Sequence, residues 1–173
     1  GLIAATSALE FGCGLSTVCD KFSDFSKIKI PMDLMYSSEI PNNVSAILLG
    51  SGFGRNQQNI DVAWDFIKQF SCNDKCSFVF DADIFYYQKL PLLLQELKNQ
   101  QVILTPHPKE LFYLLKLYDI KVDSVEEVIQ NRFEFCKLFS EKNPNCVLVS
   151  KGAITYICHQ NQIFICDVGS VAL

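Results

Sequence analysis

The chain reads as an α/β protein: a mostly parallel sheet flanked by helices on both faces, with an antiparallel strand pair near the C-terminus. Three observations carry that reading. Short, near-continuous apolar runs (Val44–Leu49, Phe78–Phe80, Val102–Leu104, Cys146–Ser150) have no polar alternation. Between them lie stretches whose apolar residues recur at helical spacing, and strands apolar on both sides belong to sheets covered on both faces. At the end, Thr155–Cys158 and Ile163–Cys166 are separated by a short polar turn around Asn161, which fits an antiparallel hairpin.

The elements follow in order. Residues 2–11 are small and apolar at helical spacing, and Gly12-Cys13-Gly14 breaks that run before a strand over Leu15–Cys19. Ile28 and Ile30 suggest a second short strand ended by Pro31. Val44–Leu49 runs into the glycine-rich turn Gly50-Ser51-Gly52-Phe53-Gly54. A helix from Gln57 to Phe70 then turns Ile60, Ala63, Trp64, Ile67 and Phe70 to one side. Asp81-Ala82-Asp83 closes the Phe78–Phe80 strand, and Pro91 sits near the start of a helix over Leu92–Lys98. Strand 102–105 leads through Thr105-Pro106-His107-Pro108-Lys109-Glu110 into a helix over 109–118, whose Leu111, Leu114, Leu115 and Tyr118 share a face. Ser124 with Glu127 three positions on is a capping-box signature for one helix reaching Ser140. With no repeat, low-complexity tract or linker in 173 residues, a single domain over 1–173 is expected.

Composition narrows the function classes. A net charge of −4 and a pI near 5.1, with no basic run, exclude a nucleic-acid surface. No apolar stretch is long enough to span a bilayer and no signal-peptide pattern opens the chain, so a cytoplasmic location without a membrane partner is expected. Of the eight cysteines, Cys19, Cys146, Cys158 and Cys166 lie in or beside apolar strand-like runs, where a thiol behaves as a small hydrophobe. Cys72 and Cys76 resemble half a zinc site, but no second pair follows, so no metal held by cysteine is expected.

Chemistry concentrates in four turns, each just after a predicted strand, where open α/β sheets bind their ligands. Glycines in Gly50–Arg55 let backbone N–H groups approach a phosphate or a nicotinamide closely. Asp81 and Asp83 can bind a hydroxyl or a magnesium ion. Two prolines stiffen the Thr105–Glu110 turn and hold His107 and Glu110 rigidly at a strand end. Lys151 and Thr155, in Lys151-Gly152-Ala153-Ile154-Thr155, can meet phosphate oxygens as a point charge and a hydroxyl donor. Each turn also has an ordinary structural reading: tight turns, a helix cap at Asp81 or Asp83, an exposed connector around His107, a solvated Lys151.

Taken together and in this order, the turns resemble those of the carbohydrate-kinase-type NAD(P)H-hydrate dehydratases, a family of the ribokinase-like superfamily. That family's motifs run GPGLGR, DADAL, TPHPGE and KGAxT. Here they stand as Gly50-Ser51-Gly52-Phe53-Gly54-Arg55, Asp81-Ala82-Asp83-Ile84-Phe85, Thr105-Pro106-His107-Pro108-Lys109-Glu110 and Lys151-Gly152-Ala153-Ile154-Thr155. Ala8-Leu9-Glu10-Phe11-Gly12-Cys13-Gly14-Leu15 also resembles the family's AAL–GAGL passage. The resemblance implies a ribokinase-like fold and the conversion of NADHX or NADPHX to NADH or NADPH at the expense of ADP or ATP, with Mg²⁺. It implies that Gly52, Gly54 and His107 contact the hydrated cofactor and that Lys151, Gly152, Ala153, Ile154 and Thr155 contact the nucleotide. Glu110, Asp81 and Asp83 become candidates for organising magnesium or phosphate.

Three departures stand out: Ser51 for proline, Phe53 for leucine, and Lys109 for glycine beside Glu110. The resemblance places a catalytic aspartate, in a GTGD segment, past Leu173, and a first strand ahead of Gly1; no catalytic residue is expected within 1–173. Family members often carry an N-terminal NAD(P)HX epimerase domain, and a homo-oligomer is expected. The alternative within the superfamily is a small-molecule kinase of the hydroxyethylthiazole or hydroxymethylpyrimidine type, against which His107 in its TPHP setting speaks. A third class is a non-catalytic nucleotide-sensing module, which requires that the GTGD aspartate be missing from the whole protein.

Overall fold

The computed structural model describes residues 1–20, 31–70, 75–160 and 162–168. The chain forms two compact units, Gly1–Val44 and Ser45–Leu173. The first holds helix α1 (Leu2–Glu10) and strands β1 (Thr17–Cys19) and β2 (Met35–Ser37), which pair in parallel. Strand β2 follows Pro31 and was not expected; the strand expected at Ile28 and Ile30 lies outside the described residues, as do Cys72, Asn161 and Gly169–Leu173.

The second unit is built on β3 (Ala46–Leu49), β4 (Ser77–Phe80), β5 (Val102–Leu104), β6 (Cys146–Ser150), β7 (Thr155–His159) and β8 (Gln162–Cys166), in that spatial order. The β3–β4, β4–β5 and β5–β6 pairs are parallel, whereas β6–β7 and β7–β8 are antiparallel. Parallel neighbours need crossovers, and helices supply them: α2 (Gln57–Ile67), α3 (Leu90–Glu96), and the run α4 (Pro108–Leu117), α5 (Val125–Gln130) and α6 (Arg132–Lys142). The sheet is mostly parallel and flanked by helices, with α6 packed on β6 and β7. Among the described residues no helix is long and apolar enough to cross a membrane.

Cross-strand register explains the core. Phe78, Val102 and Cys146 are successive partners, as are Phe80, Leu104 and Leu148, and all six are buried on one face of the sheet. The opposite residues Val79, Ile103 and Val147 are half-buried. From α2, Ile60, Ala63, Trp64, Ile67 and Phe70 are buried as the 3.6-residue period requires, with the last turn tightened to a 3₁₀ turn over Lys68–Phe70. Asn56 caps α2 by accepting the Gln58 N–H.

The structure corrects one helix. The run from Ser124 to Ser140 is two helices, α5 and α6, broken at Asn131. Ser124 caps α5 through the Glu127 N–H, but the Glu127 carboxylate accepts from the Asp123 N–H, one residue upstream of the capping-box position. A 3₁₀ helix over Ala82–Tyr86 occupies what read as a simple acidic turn, and α3 starts at Leu90, two residues early.

Candidate functional site

Strands β3, β4, β5 and β6 are consecutive neighbours running the same way. The turns that leave their carboxyl ends therefore meet along one edge. Hydrogen bonds tie each turn to the next. The Asp81 N–H donates to the Leu49 carbonyl at 3.1 Å, the Thr105 N–H to Phe80 at 3.0 Å, and the Lys151 N–H to Pro106 at 2.9 Å.

The glycine turn is shaped by the 3₁₀ helix that follows β4. Gly50, Gly52 and Gly54 have φ of +116°, +81° and +67°, the left-handed region that side chains disfavour. Asp83 braces the turn from both sides: its carboxylate accepts the Gly54 N–H at 2.9 Å, and its own N–H donates to the Gly50 carbonyl at 3.3 Å. Beyond the turn, the Arg55 guanidinium lies 4.0 Å from the centre of the Tyr86 ring, which packs on Tyr113 of α4 at 4.6 Å.

Asp81 links three strand ends. Its Oδ1 accepts from Lys151 Nζ and from the Thr105 hydroxyl, both at 2.7 Å. Burial alone would raise this carboxyl. The two side-chain hydrogen bonds, the lysine charge and the Ala82 N–H outweigh burial and hold it below its ordinary 3.8. Because the folded-state value is depressed, the stabilisation is present above the ordinary carboxylate range and is lost as pH falls through that range. Asp81→Asn is expected to lower stability by about 1–2 kcal/mol at neutral pH, a figure discounted because Lys151 is partly solvated. Thermal melts at a series of pH values check this: the gap from wild type should close below about pH 4. A gap that persists at acid pH would mean the Asp81 charge contributes nothing.

His107 is the N-cap of α4, with Pro108 at its first position. Its Nδ1 accepts the Lys109 and Glu110 N–H groups at 3.1 and 3.4 Å, and the Glu110 carboxylate accepts the His107 N–H at 2.9 Å, completing a capping box. The other carboxylate oxygen lies 3.2 Å from His107 Nε2. The imidazole is thus held at Nδ1 over the start of α4, yet its side chain keeps 45% of its exposure while that of Glu110 keeps 7%. The exposed part of the ring is what it offers a ligand.

The three acidic candidates are committed inside the protein: Asp81 to Lys151 and Thr105, Asp83 to Gly54, Glu110 to His107. Among the described residues no three His, Cys, Asp or Glu side chains form a group able to hold a metal ion. These carboxylates are each tied to a different donor and do not converge into a ligand set for Mg²⁺. Lys151 is likewise a paired cation, leaving the backbone of 151–155 and the Thr155 hydroxyl, 3.4 Å from the Gly152 carbonyl, as the turn's other polar groups. The sequence reading missed Thr105, Tyr86 and Arg132, which donates to the Lys151 carbonyl at 3.0 Å and to the Ile154 carbonyl. For Arg132 the sequence held no signal, because its place at the start of a helix appears only once the break at Asn131 is seen.

Comparison with known proteins identifies the fold and the family. A ribokinase-like superfamily protein from Enterococcus faecalis superposes on 95% of this chain and 56% of its own, with a TM-score of 0.64 at 17% identity. A hypothetical protein from Streptococcus mutans covers 98% of this chain and 60% of its own, with a TM-score of 0.69 at 22% identity. The fold is that of the ribokinase-like class. The family model for NAD(P)H-hydrate dehydratase matches residues 1–173, and the chain belongs to that family. It is also 41% identical, over all 173 residues, to the bifunctional NAD(P)H-hydrate repair enzyme Nnr of Helicobacter pylori. The chain spans 34% of that relative's length.

Proposed function

We propose that the protein repairs hydrated nicotinamide cofactors, converting NADHX or NADPHX to NADH or NADPH with ADP or ATP as co-substrate. The observation that carries the reading is the junction of the glycine, His107 and Lys151 turns along one sheet edge, on a chain that belongs to the dehydratase family throughout. A phosphoryl group passes from the nucleotide to the ring hydroxyl, releasing AMP from ADP or ADP from ATP. Phosphate then leaves with a proton from the adjacent ring carbon, which restores the double bond. The chemical need is simple: hydroxide is a poor leaving group and phosphate a good one.

In this reading Gly52 and Gly54 let the backbone approach the hydrated ring and the exposed part of the His107 ring packs against it. Residues Lys151–Thr155 take the nucleotide. The two ligands use neighbouring turns, so phosphoryl transfer needs only a short reach along the edge. Residues 1–173 are read as one dehydratase domain; the bifunctional relative supports a second activity in the whole protein, which the resemblance makes an NAD(P)HX epimerase. From the resemblance, the protein is taken to be a cytoplasmic homo-oligomer.

The full-length protein given NADHX, Mg²⁺ and either ADP or ATP is expected to restore the absorbance of reduced nicotinamide, with no reaction when nucleotide is omitted. Failure of that assay, together with phosphorylation of a thiazole or pyrimidine alcohol, would replace the dehydratase by a kinase.

A further inference from the structure

Arg132 stands at the first position of α6, facing the unfavourable end of the helix dipole. A residue that breaks a local rule is usually needed elsewhere. Its guanidinium donates to the Lys151 carbonyl at 3.0 Å and to the Ile154 carbonyl, so one planar group holds both ends of the turn that follows β6. The guanidinium carbon lies 5.0 Å from the centre of the Tyr156 ring, and Phe133 meets the same ring edge-on at 5.9 Å. The arginine is therefore bonded at its tip and set against an aromatic ring.

Gly152 completes the arrangement. Its backbone is not left-handed, so conformation does not demand glycine there. A Cβ on Gly152 would overlap the Arg132 guanidinium where it now lies, so a larger residue there must displace that side chain.

We propose that Arg132 is the positioning residue of the nucleotide turn, fixing the backbone of 151–155 in one conformation before the nucleotide arrives, with Gly152 as the socket that admits it. The proposal rests on the assignment of that turn made above. A turn held in its bound shape spends less of the binding free energy on ordering itself. Removing the clamp should therefore weaken nucleotide binding more than it changes recognition of the hydrated cofactor, which uses other turns.

The test compares Arg132→Ala, Arg132→Lys, Gly152→Ala and the Arg132→Ala/Gly152→Ala double variant in the full-length protein. It reads amide hydrogen exchange across 151–155, ADP and ATP affinity by calorimetry, and KM for each substrate. Arg132→Ala is expected to speed exchange within the turn alone and to weaken nucleotide binding about tenfold, with KM for NADHX unmoved. Arg132→Lys, a point donor that cannot bridge two carbonyls, should recover only part of the loss. Gly152→Ala pushes the guanidinium aside and should reproduce the same defect, and the double variant should add little to either single change. Unchanged protection of the turn in Arg132→Ala overturns the proposal, as do strictly additive losses or loss of protection throughout the unit. If wild-type protein binds neither ADP nor ATP while Arg132→Ala still loosens the turn, the nucleotide assignment falls and the clamp is structural only.

Discussion

Gly50→Ala is expected to lower stability by about 3 kcal/mol or more, the largest effect of any single added methyl at this edge. Two costs combine at Gly50. Its φ of +116° lies where a side chain is strained, and a Cβ there would overlap the Asp81 carbonyl. That carbonyl is backbone at the end of β4, so it cannot rotate away as a side chain would. Its neighbours are also committed: the Asp81 N–H donates to Leu49 and the Asp81 carboxylate holds Lys151 and Thr105. Gly54→Ala supplies the contrast, because Gly54 has φ of +67° but no atom within 4 Å of the added Cβ. There only backbone strain is expected, about 1–2 kcal/mol. Denaturant unfolding of both variants decides the matter; equal losses would show that close approach to Asp81 is unimportant.

That contrast also shows what a sequence can carry. The glycine-rich turn, the strand that leads into it and its place at a sheet edge are legible, because apolar runs and turn chemistry are local. Which glycine is sterically required is not, since the answer lies in a carbonyl some thirty residues away. The acidic residues make the same point: Asp81, Asp83 and Glu110 look alike as free carboxylates in the sequence, and each proves to be bonded to a different distant or local donor. Strand β2 was hard to see because Leu34-Met35-Tyr36 is short and lacks β-branched residues, and its parallel partner β1 lies well before it in the chain. The break at Asn131 carries no Gly or Pro to announce it, and it puts Arg132 at a helix start from which it bonds back to the 151–155 turn. His107 was readable as a rigid residue at a strand end. Its service as a helix cap was not, because caps are expected of Ser, Thr, Asp and Asn rather than of an imidazole.

This double service of His107 sets the most discriminating experiment on the reaction itself. His107→Ala should cost about 1 kcal/mol of stability through the lost cap, and about tenfold in kcat/KM for NADHX through the lost ring. Taken alone, those losses are ambiguous, since a loosened α4 could misplace the turn. His107→Asn separates them. Its side-chain oxygen can accept the first-turn N–H groups that Nδ1 now holds, so the helix start should survive. The ring proposed to pack against the hydrated nicotinamide is gone, however, so stability should return to within a few tenths of a kcal/mol of wild type while kcat/KM stays about tenfold down. Nucleotide affinity should be unchanged in both variants, because the backbone bond from Lys151 to the Pro106 carbonyl and the Lys151–Asp81–Thr105 link do not involve the His107 side chain. If His107→Asn restores activity along with stability, His107 is a helix cap and nothing more, and recognition of the hydrated ring must be sought at the glycine turn and the Arg55–Tyr86 stack beside it.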